Sequence, residues 1–170
     1  MKVIVLNGPM GVGKTTIGTA VADMCPGTAF IDGDYCMDIH PFVGNKETRE
    51  MAVDNILHMT ENYMNCSVCN MVVIAWLMDD DNIRRSLADG LKKLNSDIRS
   101  YTLVCSEEQL RKQWNEDKSC PWRTEEWLRV SIRSLEYFRA LDDMIDVEGM
   151  SVGQIARMIA ERQSSVQDKT

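Results

Sequence analysis

Two groups of residues near the start of the chain have types and spacing suited to chemistry. Gly8-Pro9-Met10-Gly11-Val12-Gly13-Lys14-Thr15-Thr16 fits the pattern G-x-x-x-x-G-K-[ST], between an apolar run and a helical pattern. The glycines let backbone N–H groups curl around a chain of phosphates. A helix starting near Gly13 adds its positive end. Gly8, Gly11, Val12, Gly13, Lys14, Thr15 and Thr16 are therefore expected to hold a nucleoside triphosphate. Lys14 would reach the β- and γ-phosphates, and the Thr15 hydroxyl would ligate Mg²⁺. The second group is Asp32-Gly33-Asp34, at the end of a second apolar run. A carboxylate there can hold Mg²⁺ through water, or accept the proton of an attacking hydroxyl.

Cations follow in two places. His40, Lys46 and Arg49 come after the paired aspartates and would wall a pocket for a second substrate. Arg49 would hold an anionic acceptor there, or lie on a solvated helix face. Lys118, Arg123, Arg129 and Arg133 lie in or beside the polar, proline-broken stretch from 115 to 123. Positions 129 and 133 share a helical face. Glu125, Glu126 and Glu136 are close enough in sequence to neutralise them.

These residues need elements to position them. Lys2 to Leu6 reads as a buried strand, and Ile17, Ala20, Val21 and Met24 recur at helical spacing until Cys25-Pro26-Gly27. A second strand covers Thr28 to Ile31, and a long helix about Glu47 to Asn65. Met71 to Leu77 is the most apolar run and is expected to be the most buried strand. Asp79 to Asp81 cap a helix with Ile83, Leu87, Leu91 and Leu94 inward. Ile98 to Cys105 is the fourth strand, and Ser106 opens the next helix. Another helix runs from Thr124 to about Ala140, with Leu128, Ile132 and Leu135 inward. Met144 to Val147 is the last strand, and Val152, Ile155, Ala156 and Ile159 mark the last helix. Strands alternating with helices predict an α/β fold: three α/β/α layers around a five-stranded parallel sheet. The length of 170 residues suggests one domain, residues 1–170.

"GPMGVGKTT", a second strand ending in "DGD" and a broken segment between two late helices resemble the small P-loop kinases. These include shikimate, gluconate and nucleoside monophosphate kinases and chloramphenicol phosphotransferase. The resemblance implies a P-loop NTPase fold of the nucleotide/shikimate kinase type, with a lid at about 115–124. It implies ATP and Mg²⁺ as cofactors. It assigns Asp32 to the metal and Asp34 to the acceptor hydroxyl. "RSLEYFRALDDMIDVEGMSVGQIARMI" is similar to the end of shikimate kinases, which would turn Arg133 toward the active centre and bring Asp146 to Ser151 near the adenine. Phosphoryl transfer needs cations over the equatorial oxygens, so Lys14, Asp34, Arg123 and Arg133 are the expected catalytic residues. The pattern departs from the family after the third strand. "VVIAWLMDDD" has no acid directly after the apolar run, and no glycine run of the shikimate kinase type. Asp79 is the nearest acid there, and an N-cap is its simplest role.

Composition excludes other classes. A net charge of −7 argues against nucleic acid and anionic membranes. No apolar run approaches a membrane span, and no secretory signal precedes the first strand. Six scattered cysteines fit reduced thiols in a cytoplasmic protein. Cys66-x-x-Cys69 lacks the second pair a zinc site needs. Trp76 and Trp122 are placed where a ligand contact is feasible. The expected activity is transfer of the γ-phosphate of ATP to a small molecule, with a hydroxyl acceptor favoured by Asp34. A nucleoside monophosphate kinase is favoured instead by Arg49 and the lid arginines. A third possibility is an ATP-hydrolysing regulatory switch. The chain is expected to act as a monomer or homodimer.

Overall fold

The computed structural model describes residues 1–117, 120 and 123–164. Lys118 and Trp122, and with them part of the expected lid, lie outside the described residues.

Five parallel strands form one sheet: β1 (Lys2–Asn7), β2 (Thr28–Asp32), β3 (Met71–Ala75), β4 (Asp97–Val104) and β5 (Met144–Asp146). Their spatial order is β2-β3-β1-β4-β5. The central strands β1 and β3 are the most apolar because both of their faces are covered. Val3, Ile4 and Leu6 of β1 and Val72, Val73 and Ile74 of β3 are fully buried. Alternation along each strand sends side chains to two separate cores. One core joins Ile4, Leu6 and Val73 to Ile17 and Val21 of helix α1 (Lys14–Met24) and to Ile155, Ala156 and Ile159 of a C-terminal helix, Val152–Ser164. The other joins Val3, Val5, Val72 and Ile74 to Ala52, Val53 and Ile56 of α2 (Lys46–Met64) and Ile83, Leu87 and Leu91 of α3 (Asp81–Lys93). This is the expected three-layer α/β/α arrangement. The remaining helices are α4 (Glu107–Glu116) and α5 (Glu125–Arg139), which makes the C-terminal helix α6.

Helix starts follow local capping chemistry. Asn45 and Thr48 exchange side-chain-to-backbone bonds of 3.0 Å at the start of α2, a reciprocal box. Ser106 accepts from the Gln109 N–H at 3.1 Å to start α4. Thr124 accepts from the Trp127 N–H at 3.4 Å to start α5.

Two expectations after the third strand are corrected. The strand ends at Ala75 rather than Leu77. The Trp76 N–H still reaches the Leu6 carbonyl at 3.0 Å, but the chain then leaves the ladder toward Asn7. Asp79 is not the cap of α3. Asp80 has the extended backbone of a capping residue and accepts from the Asn82 N–H at 2.7 Å. Asp79 stands one residue too early to reach those N–H groups, and its carboxylate turns to Arg49 instead, 2.7 Å away.

Register places the loops that matter at one edge. Asp32 of β2 lies beside Ala75 of β3, and Ala75 lies beside Leu6 of β1. The chain leaves all three strands at the same level, so the phosphate loop, the paired aspartates and the β3–α3 connection meet. Asn7 fastens two of them. Its side-chain amide donates to the Met78 carbonyl at 3.1 Å, and its oxygen accepts from the Met78 N–H at 2.9 Å. Asn7 is 2% exposed, so neither Met78 group has water as an easy substitute. Asn7→Ala is expected to lower folding stability by about 2–4 kcal/mol, the cost of two buried backbone groups left unpaired. Denaturant titration reads this as a lower midpoint at an unchanged slope. An unshifted midpoint would mean that Asn7 does not hold this connection.

Candidate active site

The stretch from Gly8 to Thr15 wraps the N-terminus of α1. Gly8, Gly11 and Gly13 all have positive φ, a region that side chains disfavour. Gly13 is the residue before the helix. The apolar Val12 is buried beneath the loop, anchoring it to the core that holds Leu6 and Ile17. The Ser131 hydroxyl on α5 donates to the Met10 carbonyl at 2.6 Å, clamping the loop from the other side.

Lys14 lies inside this curl. Its ammonium donates to the Gly8 and Pro9 carbonyls, each at 2.9 Å. The loop thus holds the lysine inside a curl of the size and form that can take a phosphate chain. Burial pushes the Lys14 pKa down to about 8, against the opposing pull of Asp34 and Asp32. Thr16 follows it on the exposed face of α1.

Thr15 and Asp32, the two residues expected at the metal, are brought together. The Thr15 hydroxyl donates to one carboxylate oxygen of Asp32 at 2.8 Å. The other carboxylate oxygen accepts from the Asp34 N–H at 3.0 Å. The carboxylate orientation is therefore set by the backbone of its own turn. Two hard oxygen donors beside a phosphate loop fit Mg²⁺, which takes one or two protein oxygens and fills its sphere with phosphate and water. Among the described residues there is no group of three or more His, Cys, Asp or Glu side chains that would cage an ion without phosphate.

Asp34 starts a single 3₁₀ turn, Tyr35–Met37. Gly33 is required just before it, because a Cβ there would run into the buried Trp76 indole. Trp76 thus supports the aspartate turn from below as part of the core. The Gly33 N–H also donates to the Ala75 carbonyl at 2.8 Å, tying the turn to β3. The surrounding protein raises the Asp34 pKa above the ordinary aspartate value, while Lys14 pulls it down. A carboxylate at the mouth of a phosphate loop, displaced upward and facing an ammonium, is suited to accepting a proton.

The arginines divide. Arg123 lies within the electrostatic reach of Lys14 and Asp34 and lowers the pKa of both. It is paired with Asp117, and its guanidinium carbon lies over the Trp114 ring. Arg49 is half-buried and paired with Asp79, whose carboxylate also acts on Lys14. Arg133 is exposed on α5. At about 100° per residue it stands away from Ser131 and shares a stripe with Val130 and Tyr137. Arg129 pairs with Glu125 at 3.7 Å, one turn back. His40 and Lys46 lie at the surface beside Asp38 and Glu50, at 3.2 and 3.7 Å. The site therefore assembles Lys14, Thr15, Asp32, Asp34 and Arg123, with the Arg49–Asp79 pair at its border.

Sequence reasoning missed Asn7, Trp114, Asp117 and Ser131. Asn7 looks like an ordinary turn residue after a strand. Leu110 and Trp114, four apart, carry the signal of a buried helical face, but nothing in the sequence says that this face meets the phosphate loop.

No protein-family model matches this chain, and neither does any curated protein. Solved structures do. The chain is similar to the tunicamycin resistance protein of Deinococcus radiodurans, with 18% identity, a TM-score of 0.72 and 95% of each chain covered. A gluconokinase from Sinorhizobium meliloti 1021 gives 19% identity and a TM-score of 0.70, with 98% of this chain and 97% of that one covered. A shikimate kinase from Acinetobacter baumannii, in complex with shikimate, gives 20% identity and 0.64, with 99% and 96% covered. At such identities the likeness is one of fold. The chain has the α/β fold of the small P-loop kinases.

The lowered pKa of Lys14 predicts a pH dependence. Below about pH 8 the ammonium is charged in the free protein, and above it the charge is lost. A bound triphosphate restores the charged form. Affinity for ATP is therefore expected to fall as pH rises through about 8, and binding above that pH should take up a proton. Calorimetry in buffers of different ionisation enthalpy measures that uptake. Binding with no proton uptake between pH 8 and 10 would show that Lys14 is not the titrating contact.

Proposed function

We propose that this protein is a phosphotransferase that moves the γ-phosphate of ATP to a hydroxyl group of a small molecule, with Mg²⁺ as cofactor. The observation that carries the reading is the position of Asp34. Its carboxylate lies beyond the Thr15–Asp32 pair, within the field of Lys14. A site built only to hold or hydrolyse a nucleotide has no need of a second carboxylate there. A hydroxyl acceptor does, because its proton must leave as the new P–O bond forms.

In this reading the loop from Gly8 to Thr16 binds the phosphates through backbone N–H groups, and Lys14 moves from the Gly8 and Pro9 carbonyls to the phosphate oxygens. Thr15 and Asp32 hold Mg²⁺, which when bound neutralises charge on the phosphates. Asp34 orients the acceptor hydroxyl and takes its proton. Arg123 faces the charge that accumulates on the transferred group. Arg133, exposed on the side of α5 away from Ser131, is given no contact with the phosphates. Arg49, neutralised by Asp79, positions the acceptor through the pair and is not a free phosphate anchor. That neutralisation favours a hydroxyl acceptor over a nucleoside monophosphate, whose phosphate needs an uncommitted cation. The reading includes a single domain with a lid at about 115–124, a cytoplasmic setting with a monomer or homodimer, and no nucleic-acid or membrane partner. Among the described residues no helix is long and apolar enough to cross a membrane.

The test is ADP release measured with a panel of hydroxylated metabolites, antibiotics and nucleoside monophosphates. At least one hydroxyl compound should accelerate it. Acceleration by a partner protein alone would replace the kinase with a regulatory switch, and acceleration by monophosphates alone would replace the acceptor class. With the active acceptor, Asp34→Asn should lower kcat by about 10²–10⁴-fold while ATP affinity stays nearly unchanged. Lys14→Ala should weaken ATP binding about tenfold to a hundredfold whichever acceptor is used. An equal loss of ATP affinity in both variants would move Asp34 into the metal site. The rate should also fall toward acid pH, because Asp34 must be deprotonated to act. Its raised pKa sets that limb above the ordinary aspartate value of 3.8.

A further inference from the structure

Trp114 is 6% exposed, on the buried face of α4 one turn after Leu110. Core packing accounts for its burial, but its contacts lead into the site. A Cβ added to Gly11 would sit 2.9 Å from the Trp114 ring, so the six-membered edge of the indole lies directly against the phosphate loop. The guanidinium carbon of Arg123 lies over the same ring, 5.1 Å from its centre. Asp117, which pairs with Arg123, follows α4 and donates its N–H to the Gln113 carbonyl at 3.0 Å. Trp114 and Asp117, two of the groups that hold the guanidinium, therefore belong to the end of one helix. The Arg123 side chain is 16% exposed, and its charge is felt at Lys14 and Asp34.

We propose that Trp114 is the positioning residue for Arg123, setting where this arginine stands relative to the phosphate loop. The inference rests on the reading of Arg123 as a γ-phosphate contact. A rigid ring that touches Gly11 on one side and carries a guanidinium on the other fixes the separation between cradle and cation. The cation–π contact itself consumes none of the guanidinium N–H groups, which are what a phosphate oxygen needs. Asp117 occupies part of that edge in the free protein, and the γ-phosphate competes with it. ADP, which lacks that phosphate, has no such claim on Arg123.

The experiment compares Mg²⁺-ATP and Mg²⁺-ADP affinities by calorimetry, without any acceptor, so its outcome is separate from the identity of the reaction. Arg123→Ala should weaken ATP about tenfold relative to ADP. Trp114→Met should do the same, and Trp114→Phe, which keeps an aromatic face, should restore most of the ratio. The double variant Arg123→Ala/Trp114→Met should be no worse in this ratio than Arg123→Ala alone. Multiplicative losses in the double variant, or an ATP/ADP ratio unmoved by Trp114→Met, would overturn the proposal. Should Trp114→Met fold poorly, 5-fluorotryptophan labelling gives a second reading. The Trp114 resonance, assigned with Trp114→Phe, should shift on Arg123→Ala and again on addition of ATP to the wild-type protein. A resonance that responds to neither would also overturn it.

Discussion

The site depends on one constraint: β1, β2 and β3 run parallel and in register. A parallel sheet delivers every strand's C-terminal end to the same edge. Leu6, Ala75 and Asp32 stand side by side there. The phosphate loop, the aspartate turn and the β3–α3 connection therefore start within reach of each other before any side chain interacts. Two apolar cores, one on each face, enforce the register. A slip of one residue would exchange the two sets of side chains between the cores and spoil the packing of both.

On that edge, polar contacts convert proximity into geometry. Asn7 ties the end of β1 to Met78. Gly33 ties the aspartate turn to Ala75 and leaves room for Trp76. The Thr15–Asp32 bond joins the first turn of α1 to the end of β2. The charges are arranged on this frame with little freedom. Lys14 is desolvated in its loop, and the carboxylates of Asp34, Asp32 and Asp79 pull against that burial. A charge kept in so poor a solvent is held ready for a polyanion, since binding supplies the counter-charge that water no longer does. The same economy appears in the arginines. Arg49 and Arg123 each spend their charge on an aspartate, so an incoming ligand gains only by competing with a carboxylate. This selects for ligands whose own negative charge falls at these cations.

Much of the fold was legible because each element carries its own local signal. The strands were readable from β-branched apolar runs, and the helices from periodic Leu, Ile and Val together with Ser106 and Thr124 at two of their starts, whereas the Asn45 cap of α2 was not read from the sequence. The loop glycines were legible because positive φ admits few other residues. Errors arose where local rules compete. Asp79, Asp80 and Asp81 are equivalent as acids before a helix, and only the backbone at Asp80 decides which one caps. The end of β3 was misjudged because Trp76 and Leu77 are as apolar as the strand itself.

The sequence by itself determined the phosphate loop, the paired carboxylates and the layered parallel sheet, because short-range chemistry suffices for each of them. Tertiary structure alone decided the partners. Asp79 belongs to Arg49, 30 residues earlier; Ser131 clamps Met10 from 121 residues away; Trp114 braces Gly11 and carries Arg123. Such pairings depend on how helices settle on a sheet. That is fixed by the summed packing of two cores, which no single window of sequence contains.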